Sequence, residues 1–157
     1  MNNVEINKQA RLSEHFTLAE LCKTSVKTKD GNIPSHVAIE NLKRLTGWLE
    51  MLRSEWNKRY GEGNDPIIIN SGYRSPQVNK LVGGVATSNH LTGCAVDIRV
   101  LGMEQLLRYA VILLDISDES GEDFDELLIE RNSKGTYWLH FAVRPEGNRR
   151  KIRLMEG

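Results

Sequence analysis

Between residues 37 and 60 apolar side chains recur at Val37, Ile39, Leu42, Leu45, Trp48, Leu49, Leu52 and Trp56, with Lys43, Arg44, Glu50 and Arg53 largely opposite them. That is helical spacing, so Val37 to about Tyr60 reads as the longest helix and the main wall of the core, with both tryptophans as packing residues. Pro34 falls in its first turn, and Gly61 and Gly63 end it. A second core helix, Met103 to about Ile116, is predicted from Leu106, Leu107, Ala110, Val111, Leu113 and Leu114. Two short helices are signalled by their starts: Thr17-Leu18-Ala19-Glu20 has capping-box spacing and runs to about Cys22, and Ser75-Pro76 opens Gln77 to about Val82, which Gly83-Gly84 stops. Strands are read from the apolar run Pro66 to Asn70, from the alternation Ala95 to Val100, and from Asp125 to Glu130 and Thr136 to Val143, a hairpin around Arg131 to Gly135. The remainder is connection. Residues 1–12 read as a loosely held lead-in, Cys22 to Ile33 as a surface loop, Asp115 to Asp125 as a solvated link, and the basic stretch from Gly147 as a last strand or a docked tail.

Strand phase then sorts the polar residues by face. Asp97 and Arg99 share one face of their strand, with Val96, Ile98 and Val100 on the other. His90 stands seven positions before Asp97, too far for one helical face, so the two converge only through a turn, which Gly93 supplies. Imidazole and carboxylate are both zinc ligand types, but the pair needs a third member. In the last long strand Leu139, Phe141 and Val143 face one way, and Trp138, His140 and Ala142 the other. Its partner strand divides into Leu127 and Ile129 against Glu126, Leu128 and Glu130, so matching the apolar faces puts Glu130 and His140 on one side. Two registers remain open: the tightest loop sets Glu126 opposite His140, whereas one two residues wider sets Glu130 opposite Trp138 and diagonal to His140, about 7–8 Å away at the backbone. Tyr137 points away, and Arg74 lies at a strand-to-helix corner just ahead of the His90 loop.

Composition narrows the partners. The 157 residues fit one domain, and lysine plus arginine balance aspartate plus glutamate at 21 each, so no global charge steers the chain toward nucleic acid or an acidic membrane. The opening MNNVEINKQARLSEHF has no apolar run of the kind a leader or anchor requires, so synthesis as a soluble cytoplasmic chain is expected. Two cysteines make no disulfide framework, and Cys94, although it falls between His90 and Asp97, has the strand phase of a small buried residue rather than a ligand. The acidic stretch 115–125 lacks EF-hand spacing.

Three segments carry a resemblance: Ser71-Gly72-Tyr73-Arg74-Ser75, Ser88-Asn89-His90-Leu91-Thr92-Gly93-Cys94-Ala95-Val96-Asp97, and Trp138-Leu139-His140 in a terminal hairpin. Together with His15 to Leu21 and Arg144 to Arg150 they resemble the M15 family of zinc peptidases, which includes D-alanyl-D-alanine carboxypeptidases and phage L-alanyl-D-glutamate endolysins and shares its fold with the Hedgehog signalling domain. The resemblance implies a single α+β domain over residues 1–157, with a small antiparallel sheet that carries the metal site and packs against helices. It implies zinc held by His90, Asp97 and His140 with a fourth position open, Arg74 stabilising the oxyanion, and Ser88 and Trp138 binding substrate. Several members carry their catalytic acid three residues before the last histidine, where this chain has Tyr137. The acid is therefore expected from the preceding strand, as Glu130 or, failing that, Glu126. The implied partner is a peptidoglycan stem peptide, met by a monomer after release or export to the cell wall. D-alanyl-D-alanine is the first expectation for the bond cut, L-alanyl-D-glutamate the alternative, and a non-catalytic zinc-containing wall-binding domain the third reading.

Overall fold

A computed structural model describes residues 6–155. The longest helix, α2 (His36–Arg59), begins where the Ser35 hydroxyl accepts the Ala38 amide at 3.1 Å. Pro34 lies one residue ahead of that cap rather than in the first turn expected of it. The buried stripe is Ala38, Leu42, Leu45, Trp48, Leu49 and Leu52. Val37 was expected on it but is 72% exposed, because it sits about 100° around the helix from Ala38. The other long helix, α4 (Gly102–Ser120), buries Leu106, Tyr109, Ile112, Leu113 and Ile116. Leu107 and Val111, expected in the core, are 50% and 52% exposed on its far side. This helix also takes in Asp115 to Ser120, read from sequence as a solvated link, and stops at Gly121 in the left-handed region. Two short helices, α1 (Leu18–Leu21) and α3 (Pro76–Leu81), start as expected at the Thr17 capping box and the Ser75 cap.

Five strands, β1 (Ile69–Ser71), β2 (Ala95–Arg99), β3 (Glu126–Arg131), β4 (Tyr137–Ala142) and β5 (Lys151–Met155), form one sheet in the order β1-β2-β4-β3-β5. The neighbours are antiparallel, as expected of the sheet that carries the site, except β3 and β5, which run parallel. The chain leaves β4, passes the N-terminal end of β3 and enters β5 in the same direction as β3, anchored there by Lys151 N to Asp125 O at 2.9 Å. One sheet face packs on the helices through Val96, Ile98, Leu127, Leu139 and Phe141, with Phe141 against Trp48 at 5.3 Å between ring centroids. The other face stays open for chemistry.

Two stretches read as loose are tied down. Leu12 N donates to Phe16 O at 2.8 Å and Leu18 N to Ala10 O at 2.9 Å, and Ile6 and Leu12 pack against the core. Of the expected lead-in, residues 1–5 lie outside the described residues. In the loop before α2, Asn32 is buried, donating to Cys22 O at 2.8 Å and Tyr73 O at 3.2 Å and accepting from Ser75 N at 2.7 Å. That one amide pins the Tyr73–Ser75 corner from which Arg74 projects.

Candidate metal centre

His90 is presented by a single 3-10 turn, Asn89–Thr92, capped by Ser88, whose hydroxyl accepts the His90 amide at 3.2 Å. Gly93 then reverses the chain at φ 75, and a Cβ there would come within 2.5 Å of Ala38 O. Glycine alone meets both demands. The chain emerges as β2, where Asp97 pairs directly with His140 of β4. His90, Asp97 and His140 are all buried, and one ligand atom from each lies within 4.8 Å of the others. The rings of the two histidines meet edge to face at 5.2 Å.

Each imidazole is fixed from behind. Nδ1 of His90 donates to the Gly72 carbonyl at 2.7 Å, which turns its Nε2 toward Asp97 Oδ1, 3.4 Å away. Nε2 of His140 donates to Glu126 Oε1 at 3.0 Å, which turns its Nδ1 toward Asp97 Oδ1, also at 3.0 Å. Hydrogen bonds of this kind on the outer nitrogen are how metal-binding histidines are oriented. Burial disfavours a charged His140, yet the carboxylates of Asp97, Glu126 and Glu130 outweigh it and push the imidazole up to about 10. The same pairing works in reverse on Asp97, which burial would raise but His90 and His140 hold far below the usual carboxylate range. Glu126, raised by burial, is pulled down to about 2 by His140 and Asn89. Arg74 lies 3.4 Å from Asp97, and Arg149 lies 3.9 Å from Glu126. Two imidazole nitrogens with one carboxylate oxygen are the donor set that suits zinc.

The hairpin takes the wider of the two registers, with Glu130 opposite Trp138 and Glu126 opposite Ala142. Glu130 Oε1 accepts from Trp138 Nε1 at 3.0 Å and lies 3.5 Å from His140 Nδ1, on the side where the three ligand atoms converge. Burial raises the Glu130 carboxyl, with His140 pulling it back and Asp97 adding to the rise. Glu126 lies instead at the outer nitrogen of the ring. Tyr137 packs toward the core as expected, with the Arg131 guanidinium 5.9 Å from its ring centre. Arg74 is 17% exposed and is steadied by Ser71 Oγ at 3.3 Å and by Asp97. A cavity of about 670 Å³ gathers Arg74, Ser88, His90, Asp97, Glu130, Trp138 and His140. The residues expected to hold metal, bind substrate or act on the water therefore border one space. Cys94 is buried outside the ligand cluster, its thiol raised chiefly by burial.

Sequence reading missed a second polar cluster beside the ligands. Asp125 is fully buried and receives Arg149 through its backbone N, Nε and Nη2 at 3.0, 3.0 and 2.8 Å, Arg144 Nε at 3.2 Å and Asn89 Nδ2 at 2.7 Å. Burial raises this carboxyl, but those donors bring it down to about 2. The available signals were the basic run after Arg144 and Asn89 inside the histidine motif. Neither marked Asp125 as buried, because the partners that enclose it, Asn89, Arg144 and Arg149, lie far from it in sequence.

A family model described as Peptidase M15 matches residues 14–113, most of the chain. The chain belongs to the peptidase M15 family. The matched stretch of this M15 chain holds Arg74, Ser88, His90 and Asp97 and ends before β3, so it is the fold that brings Glu126, Glu130 and His140 to them. Over 85 residues the chain is 33% identical to the zinc D-Ala-D-Ala carboxypeptidase of Streptomyces albus G, an alignment that covers 54% of this chain and 31% of that protein. The M15 chain is thus matched along about a third of that relative's length.

Proposed function

We propose that this chain is a zinc-dependent peptidase that hydrolyses peptidoglycan stem peptides, acting as a D-alanyl-D-alanine carboxypeptidase. The observation that carries the reading is the convergence of His90, Asp97 and His140 beside Glu130 and Arg74 at one cavity. Three protein ligands with a fourth position free is the arrangement of catalytic zinc, which when bound polarises a carbonyl and lowers the pKa of a coordinating water toward roughly 7.

The protein groups supply the rest. The Arg74 guanidinium, steadied by Ser71 and Asp97, donates to the carbonyl oxygen as negative charge grows on it. Glu130 accepts a proton from the attacking water at its carboxylate and returns it to the leaving nitrogen, and its raised pKa suits both halves of that transfer. Trp138 fixes the Glu130 carboxylate through Oε1, and Ser88 and Trp138 form part of the wall against which the peptide lies. Arg74, Arg149 and Lys151 border the same cavity, so a peptide ending in a free carboxylate meets positive charge. That feature and the activity named for the Streptomyces relative favour the carboxypeptidase over the L-alanyl-D-glutamate endopeptidase. A pure wall-binding domain has no use for Glu130 and Arg74. No helix of the described residues is long and apolar enough to cross a membrane.

Digestion of a D-alanyl-D-alanine-terminated stem peptide and of intact muropeptides by the zinc-loaded chain, with products weighed by mass spectrometry, tests the proposal. Loss of a single terminal alanine is the expected result. A cut between L-alanine and D-glutamate would reassign the bond, and intact substrate would end the peptidase reading.

A further inference from the structure

Asn89 sits between two carboxylates that follow one another in sequence. Its amide nitrogen donates to Asp125 Oδ2 at 2.7 Å and to Glu126 Oε1 at 2.6 Å, and its carbonyl accepts from Arg144 Nε at 3.0 Å. The partners fix the orientation of the amide, since only the NH₂ end can face two anions and only the oxygen end a guanidinium. Every strong donor of the side chain is used. Asn89 is itself buried, and Asp125 is held in place by Arg149 from one side and Arg144 from another. Asp125 is therefore a fixed post, and Asn89 ties Glu126 to it. Without the amide between them, the buried Asp125 and the half-buried Glu126 carboxylates would repel each other.

The bond that matters lies on the far side of Glu126. The same Oε1 that receives Asn89 also receives His140 Nε2 at 3.0 Å. An imidazole offers a metal one nitrogen while the other carries a hydrogen, and the hydrogen stays where an acceptor holds it. We propose that Asn89 is a positioning residue that acts through Glu126: by holding this carboxylate against Nε2 of His140, it makes Nδ1 the ring atom presented to the metal. The inference rests on the zinc-peptidase reading for its consequence, but the contact chain Asp125–Asn89–Glu126–His140 stands in the metal-free protein. Glu126 then has a role distinct from that of Glu130. One carboxylate orients the ligand, the other moves the proton.

The test replaces Asn89 with leucine, which is close in size and cannot hydrogen-bond, and follows three signals. In proton–nitrogen NMR of the imidazoles, the metal-free wild type should show a shielded Nε2–H of His140 shifted far downfield by its carboxylate partner, and Asn89→Leu should lose it. Zinc affinity, measured by competition with a chelator, should weaken by roughly 10–100-fold, the usual effect of removing such a partner. The third signal is coupling: Asn89→Leu added to Glu126→Gln should cost little beyond Glu126→Gln alone, because both break one chain of contacts. An unchanged Nε2–H signal in Asn89→Leu, or losses that simply add, would overturn the proposal and leave Asn89 a residue that only braces its own turn. If the leucine variant does not fold, Asn89→Ser, too short to reach both carboxylates, gives the same three readings. A wild type that binds no zinc would end the zinc reading while the NMR signal still decides the positioning role.

Discussion

Replacing Glu130 by glutamine removes one proton acceptor and almost nothing else. Glutamine keeps the side-chain length, and its amide oxygen can still accept from Trp138 Nε1, so the 3.0 Å bond that fixes the group survives. The three ligand side chains are untouched, and Glu130 is neither a core residue nor part of the Asp125 cluster. Melting temperature and zinc content should therefore match the wild type. Turnover should not. A positioned acid–base group is worth about 10²–10⁴ in rate, so the variant's barrier should rise by about 3–5 kcal/mol. The assay is release of D-alanine from a stem peptide at saturating zinc, with bound metal measured on the same sample. Glu126→Gln is the control, because Glu126 touches the outer nitrogen of His140 rather than the side where the ligand atoms converge. It should bind zinc less tightly but recover most of its turnover when zinc is in excess. Normal turnover in Glu130→Gln, together with an inactive, zinc-saturated Glu126→Gln, would refute the assignment of the two carboxylates.

His140→Ala should abolish stoichiometric zinc in elemental analysis; a variant that keeps a full equivalent would remove His140 from the ligand set. Arg74→Ala should fold and hold zinc but lose most of its kcat, since its side chain reaches only Ser71 and Asp97 and its loss opens no core cavity; an unchanged rate would make it a bystander at the rim. Asp125 links stability to pH. Its folded pKa of about 2 lies below that of an unfolded aspartate, so its contribution, on the order of 2 kcal/mol, is fully present above pH ~4 and is lost as pH falls through ~2. Urea denaturation should show the wild type losing stability across that window and Asp125→Asn, weaker at neutral pH, losing less there; parallel curves would place the acid sensitivity elsewhere.

Much of this molecule follows from local rules that a single chain carries openly. The caps at Thr17, Ser35 and Ser75 are side-chain acceptors for helix amides, and the helices begin there because those amides have no other partner. Alternation with a period of two assigned Asp97, His140, Glu126 and Glu130 to one sheet face, and only glycine permits the turn at position 93, so His90 and Asp97 had to meet. The family resemblance added zinc and the role of Arg74, which no periodicity contains. Other features lay beyond the chain's local pattern. A shift of two residues keeps every side chain on its face, so alternation could not choose between Glu126 and Glu130; the loop and the packing of Leu127 and Ile129 against the core chose. Leu107 and Val111 are as apolar as their neighbours, and only the direction from which the sheet meets α4 leaves them in solvent. The direction of β5 depends on how the chain passes the end of β3. Asp125 carries the same carboxylate as the exposed acids before it, and what buries it is the arrival of Asn89, 36 residues earlier, and Arg149, 24 residues later. Partners that distant leave no periodic trace in sequence, because their pairing is a property of the folded surface and not of the local chain.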